Sequence, residues 1–110
     1  YGMTKAALSA VANGLSKLTK GTEITVNTIL GGPTYSDGVA KAVEQIASSQ
    51  HMQTEAMKKA IIQQSNPHIL LQRFINPEEI AHLAAYLASP LSVATNGASL
   101  RADSGVLKTI

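Results

Sequence analysis

A chain of 110 residues has room for one small domain and not for two. It is 45% hydrophobic and 15% charged, with a net charge of only +2, which favours a packed core and argues against disorder. With no cysteine, disulfides, thiolate metal sites and cysteine nucleophiles are excluded, as suits a reducing compartment such as the cytoplasm.

The nine lysines and arginines are scattered and few aromatics lie among them. A nucleic-acid surface needs a concentrated basic stripe, so no nucleic-acid partner is expected. No apolar run approaches the roughly 20 residues that span a bilayer, and none resembles a signal peptide; no membrane partner is expected either. With aromatics at 4%, the core must be built mainly from Ala, Leu, Ile, Val and Met.

Taken in chain order, the spacing predicts a helix over residues 3–20. Leu8, Val11, Leu15 and Leu18 recur at helical intervals, and Ala6, Ala7, Ala10 and Ala12 permit close packing. Lys17 and Lys20 suit the carbonyl end of its dipole, and Gly21 is the expected stop. Residues 24–30, Ile-Thr-Val-Asn-Thr-Ile-Leu, are β-branched and apolar on both faces, as in a buried parallel strand. Gly31-Gly32-Pro33-Thr34 then interrupts either kind of element.

Residues 37–65 are patterned more weakly. Val39, Val43 and Ile46 suggest one helix; Met52, Ala56, Ala60 and Ile61 suggest another, with a break near Ser48-Ser49-Gln50 and an end at Asn66-Pro67. Residues 68–74 read as a loop with an apolar centre, Ile69-Leu70-Leu71. Asn76-Pro77-Glu78-Glu79 is a strong helix start, with Asn76 as cap, Pro77 at the first helical position and Glu79 completing a capping pair. Ile80, Leu83, Ala84 and Leu87 should face inward, and Ser89-Pro90 closes the helix. After a turn at Asn96-Gly97, residues 98–102 form a final short strand. Helix, strand, helices and strand in this order give a βαβ-type crossover with the two strands parallel. Two strands alone do not make a sheet covered on both faces, and the chain opens at Tyr in mid-element. The sequence therefore reads as a fragment with its remaining strands upstream.

Tyr1 and Lys5 stand four residues apart, which puts a phenol and an ammonium on one helical face. A nearby ammonium favours the phenolate, so such a tyrosine can give or take a proton near neutral pH. The pair alone is a common accident of helices, and two solvated side chains is the plainer reading.

The surrounding blocks carry more. Tyr-Gly-Met-Thr-Lys-Ala-Ala-Leu, Ile-Thr-Val-Asn-Thr-Ile-Leu and Gly-Gly-Pro-Thr, followed by Gln72-Arg73-Phe74, Asn76 to Ala81, Tyr86 to Ser89 and Asn96 to Val106, strongly resemble the short-chain dehydrogenase/reductase family. The blocks occur in order over essentially the whole chain. The resemblance implies an α/β fold: residues 1–110 as the distal part of a doubly wound, Rossmann-like parallel sheet, two strands plus helices, incomplete without an upstream half. It implies hydride transfer between NAD or NADP and a carbonyl or alcohol substrate in the intact parent. Tyr1 would be the general acid/base, and Lys5 would tune it and hold the nicotinamide ribose. Gly32, Pro33, Thr34 and Ser36, in the loop 31–36, would lie against the nicotinamide, with the Thr34 backbone meeting the carboxamide and the Ser36 hydroxyl near the carboxamide or the pyrophosphate. It also implies a homo-oligomer, dimer or tetramer. Residues 37–75, the family's variable region, would be a substrate lid and the most mobile stretch, with few core anchors.

The chain departs from the family pattern in three ways. Gly31-Gly32 replaces Pro-Gly and should loosen the loop, and Ser104 stands where a second glycine is common. The family's phosphate loop, its adenosine-ribose selector and its catalytic Ser and Asn have no counterpart in these residues, so NAD and NADP are implied alike. His51, His68 and His82 lack metal-ligand spacing, and no metal is expected. Met52, Met57 and Leu70-Leu71 are either lid lining or ordinary apolar faces. Asp103 is expected to cap a turn. A rival reading makes the chain a non-catalytic fragment or oligomerisation module, with Ala6, Ala10 and Gly14 allowing helices to pair closely.

Overall fold

A computed structural model describes residues 1–109. It contains α1 (Gly2–Ser16), β1 (Thr28–Gly31), α2 (Asp37–Ser49), α3 (Thr54–Ser65), α4 (Pro77–Leu87) and β2 (Ser99–Ala102), with short 3-10 turns at Lys17–Thr19 and Pro90–Ser92. β1 and β2 pair in parallel, bracketed by bonds from the Thr28 amide to the Ala98 carbonyl (2.9 Å) and from the Gly32 amide to the Ala102 carbonyl (3.2 Å). The parallel pairing is what the order of elements predicts, and the architecture is α/β and Rossmann-like, as the resemblance implies. The chain divides into two compact units, Tyr1–Leu30 with Ala81–Arg101, and Gly31–Ile80 with Ala102–Ile110.

In the first unit, α1 forms where the helical spacing places it and ends before Gly21 (φ +81°). The side it turns to its own unit is small and polar. Ser16 is buried, and the Asn13 amide donates to the Gly97 carbonyl at 3.0 Å. The apolar stripe Leu8, Val11, Leu15 and Leu18 stays between 49% and 81% exposed. The periodicity correctly gives the helix; it does not say which face the described residues cover.

The strand expected over 24–30 shortens to four residues because side-chain amides replace the ladder before it. The Val26 amide donates to Asn96 Oδ1 at 2.9 Å, and Asn27 donates to the Thr95 carbonyl while accepting from the Ala98 amide. These bonds satisfy the backbone without strand geometry.

The second unit holds every buried hydrophobic residue among those described: Val43, Ala47, Met57, Ile62, Ile69, Phe74 and Ile75. Val43, Ala47 and Met57 form one cluster; Ile62, Ile69 and Phe74 form another; Tyr35, Val39 and Ile61 pack on both. Burying each larger aliphatic side chain is worth about 1.5–3 kcal/mol. The break between α2 and α3 falls at Gln50–Gln53, and His51 turns there with φ +55°. The expectation of few core anchors over 37–75 is therefore overturned. Val43 lies on the predicted helical spacing, but Ala47, Met57 and Ile62 fall off the intervals read from the sequence, and Ile69, Phe74 and Ile75 lie in a stretch without regular periodicity.

Candidate active site

Tyr1 is the residue before the first turn of α1, and its carbonyl accepts from the Lys5 amide at 3.0 Å. That bond carries the helical register back to Tyr1, so the two side chains share a face. Lys5 Nζ lies 5.4 Å from the centre of the Tyr1 ring, within cation–π range. Both side chains are open, Tyr1 at 95%.

The loop 31–36 belongs to the second unit and is more firmly built than two adjacent glycines suggest. A Cβ on Gly32 would come within 2.7–2.9 Å of three Asp103 backbone atoms, so only glycine lets the two main chains meet. Thr34 bridges in parallel to Ile75: the Ile75 amide donates to the Pro33 carbonyl at 2.8 Å, and the Tyr35 amide donates to the Ile75 carbonyl at 2.9 Å. The expected looseness at Gly31-Gly32 is not what this bonding gives.

The two hydroxyls have local partners. Thr34 Oγ1 donates to the Gly32 carbonyl at 2.9 Å, and Ser36 caps α2 by accepting from the Val39 amide. The Thr34 amide donates to nothing among the described residues. It is a spare backbone donor in the loop. Pro33 adds no donor of its own and holds the turn that leads to it.

Asp103 is buried, and its carboxylate accepts from the Gly105 amide at 3.0 Å, so it caps a turn as expected. Ser104 adopts φ +59°, and its Oγ accepts from the Leu71 amide at 3.0 Å, a bond a glycine would lack. His68 bonds the Val106 carbonyl at 2.7 Å, and no group of three possible metal ligands occurs among the described residues. The sequence missed a cluster at Lys58, Lys59 and Arg73, brought together by the return of the chain after α3. No helix among the described residues is long and apolar enough to cross a membrane.

A parallel strand pair with helices in the crossover between them defines an α/β, Rossmann-like class. The chain belongs to the short-chain dehydrogenase/reductase family: a family model described as enoyl-(acyl carrier protein) reductase matches residues 1–107. Two uncharacterized oxidoreductases of Bacillus subtilis, YvaG and YvrD, are each 36% identical over all 110 residues. The chain spans 42% of the length of each. Among solved structures, L-sorbose reductase from Gluconobacter frateurii, in complex with NADPH and L-sorbose, matches 98% of this chain and 40% of its own, with a TM-score of 0.83 and 25% identity. YwfH, an NADPH-dependent reductase involved in bacilysin biosynthesis, matches 98% of this chain and 39% of its own, with a TM-score of 0.76 and 29% identity.

Proposed function

We propose that the whole protein is an NAD(P)-dependent oxidoreductase acting on a carbonyl or alcohol. The observation that carries this reading is the Tyr1/Lys5 pair, a phenol and an ammonium 5.4 Å from ring centre to nitrogen on one open helical face. Membership of the family and the NADPH-dependent reductases among its structural neighbours support it. Tyr1 gives its proton to the oxygen of a carbonyl being reduced, or takes it from an alcohol being oxidised. Lys5 stabilises the negative charge left on the phenol oxygen and holds the ribose beside the nicotinamide. The spare Thr34 amide donates to the carboxamide, with Gly32 and Pro33 fixing the loop and Ser36 at its far end. Bound NAD(P)(H) supplies or accepts the hydride.

Residues 37–75 are assigned to covering the substrate, on the strength of following that loop directly in the chain. A homo-oligomer is assigned from the open apolar stripe of α1, and a cytoplasmic location from the lack of cysteine. The same stripe favours the rival in which these residues serve only assembly.

Substitution in the whole protein separates the two readings. Tyr1→Phe removes one hydroxyl and should lower kcat by about two orders of magnitude or more, with cofactor affinity nearly unchanged. Lys5→Met should lower kcat and weaken cofactor binding together. Full activity in the Tyr1→Phe protein would remove Tyr1 from the chemistry and leave the assembly reading standing.

A further inference from the structure

The second unit contains a cavity of about 350 Å³. Its wall is part α3, through Glu55, Lys58 and Lys59, and part the returning segment, through Gln72, Arg73 and Phe74. The charges on that wall are not equivalent. The Arg73 guanidinium is spent on Glu79, which it meets through two nitrogens at 2.7 and 3.1 Å, and on its neighbour's carbonyl. Lys58 is held differently. Its ammonium stands 4.2 Å from the centre of the Tyr35 ring, which fixes its place without cancelling its charge. Its carboxylate partner, Glu55, is 3.3 Å away and 83% exposed, and so is only loosely attached. Lys59 has no carboxylate partner among the described residues.

Gln72 adds a second, independent observation. It lies in the left-handed backbone region at φ +54°, uncommon for a residue with a side chain. The conformation is pinned by its own amide, which donates to the carbonyls of Pro67 and Ile69. Backbone held this way against its preference is concentrated at ligand clamps.

We propose that this cavity binds a small organic anion, a carboxylate or a phosphate monoester. Lys58 and Lys59 take the charged end, and the apolar end rests against the small part of Phe74 that lines the cavity, the residue being otherwise buried. The ligand oxygens exchange with Glu55 for the Lys58 ammonium, so binding and the Lys58–Glu55 pair compete. Charge-assisted bonds from two fixed or nearby ammoniums set the affinity, and Phe74 favours an organic anion over an inorganic one.

The competition supplies the test, which needs no cofactor and stands apart from the hydride-transfer reading. The full chain, labelled with ¹⁵N, is titrated with phenyl phosphate, benzoate and inorganic phosphate while the amides of residues 58, 59 and 72 are followed. Phenyl phosphate or benzoate should give saturable shifts there, with inorganic phosphate weaker. Lys59→Gln should weaken binding about tenfold and Glu55→Gln should tighten it about threefold; both residues are exposed, so neither change threatens the core. Lys41→Gln should change nothing. Shifts that never saturate, that spread equally to Lys5, Lys17 and Lys20, or that ignore both Lys59→Gln and Glu55→Gln would overturn the proposal.

Discussion

Gly31 and Gly32 are neighbours with opposite tolerances. A methyl group on Gly31 meets the Ile80 Cδ1 at 3.4 Å, the far end of a flexible side chain. On Gly32 it meets the carbonyl oxygen, Cα and carbonyl carbon of Asp103, all backbone. Gly32→Ala should therefore cost about 1–3 kcal/mol through overpacking, and Gly31→Ala well under that. Urea unfolding of the two variants checks the order, since equal midpoints would mean the Asp103 strand end yields freely. At this scale the sequence is uneven in what it tells. Tyr1 and Lys5 are legible because an interval of four is itself a helical geometry. Lys58 and Arg73 are not, because only the return of the chain after α3 brings them to one cavity.

The start of α4 shows how one carboxylate can serve two purposes. Glu79 accepts from the Asn76 amide at 3.1 Å, the reciprocal bond of a capping box, and from Arg73 as a two-pronged pair. The Arg73 bonds first, and then the Asn76 amide, pull the Glu79 carboxyl from its usual 4.5 to about 2. A lowered carboxyl contributes stability that is complete above its unfolded value and fades as pH falls through the folded one. The difference in urea midpoint between the native chain and Glu79→Gln should thus be steady near neutrality and close between about pH 4.5 and 2. High salt should shrink it, because the pair is open to solvent. A difference that persisted at pH 2 would show that the charge is not the source. The Asn76-Pro77-Glu78-Glu79 start was legible because capping is local. The true length of β1 was not, since Asn27 meets Thr95 and Ala98, and Asn96 meets Val26, only in the fold.

The whole molecule distributes its burial unevenly. All seven buried hydrophobic residues among those described lie in the unit containing α2 and α3; the buried residues of the other unit are Ser16, Thr19 and Ser92. Local opening is easiest where few apolar contacts hold. Amide exchange on this chain should therefore run slower in residues 43–62 than in residues 3–16, the reverse of what a mobile segment over 37–75 would give. Faster exchange over 43–62 would restore that expectation. The strong helical pattern of residues 3–20 measures the regularity of a helix; how firmly it is anchored depends on what lies against its apolar stripe, which periodicity does not encode.

The side-chain amides that stand in for the missing ladder also bear on how the molecule ages. Asn96 precedes Gly97, a pairing in which the glycine nitrogen readily attacks the asparagine amide and releases ammonia, and asparagine is among the heat-labile residues. In the fold that nitrogen is occupied, its hydrogen donated to the Val26 carbonyl at 2.9 Å. The Asn96 amide is held as well, donating to Thr19 Oγ1 at 2.8 Å and accepting from the Val26 amide. Loss of ammonia would close a cyclic imide, which water then opens to a carboxylate; the donor facing Thr19 would be gone, and with it a bond that joins residues 77 apart in the chain. The same network that shortens the strand thus shields a labile side chain of its own while it stays closed, and each opening of this unit advances a chemical clock.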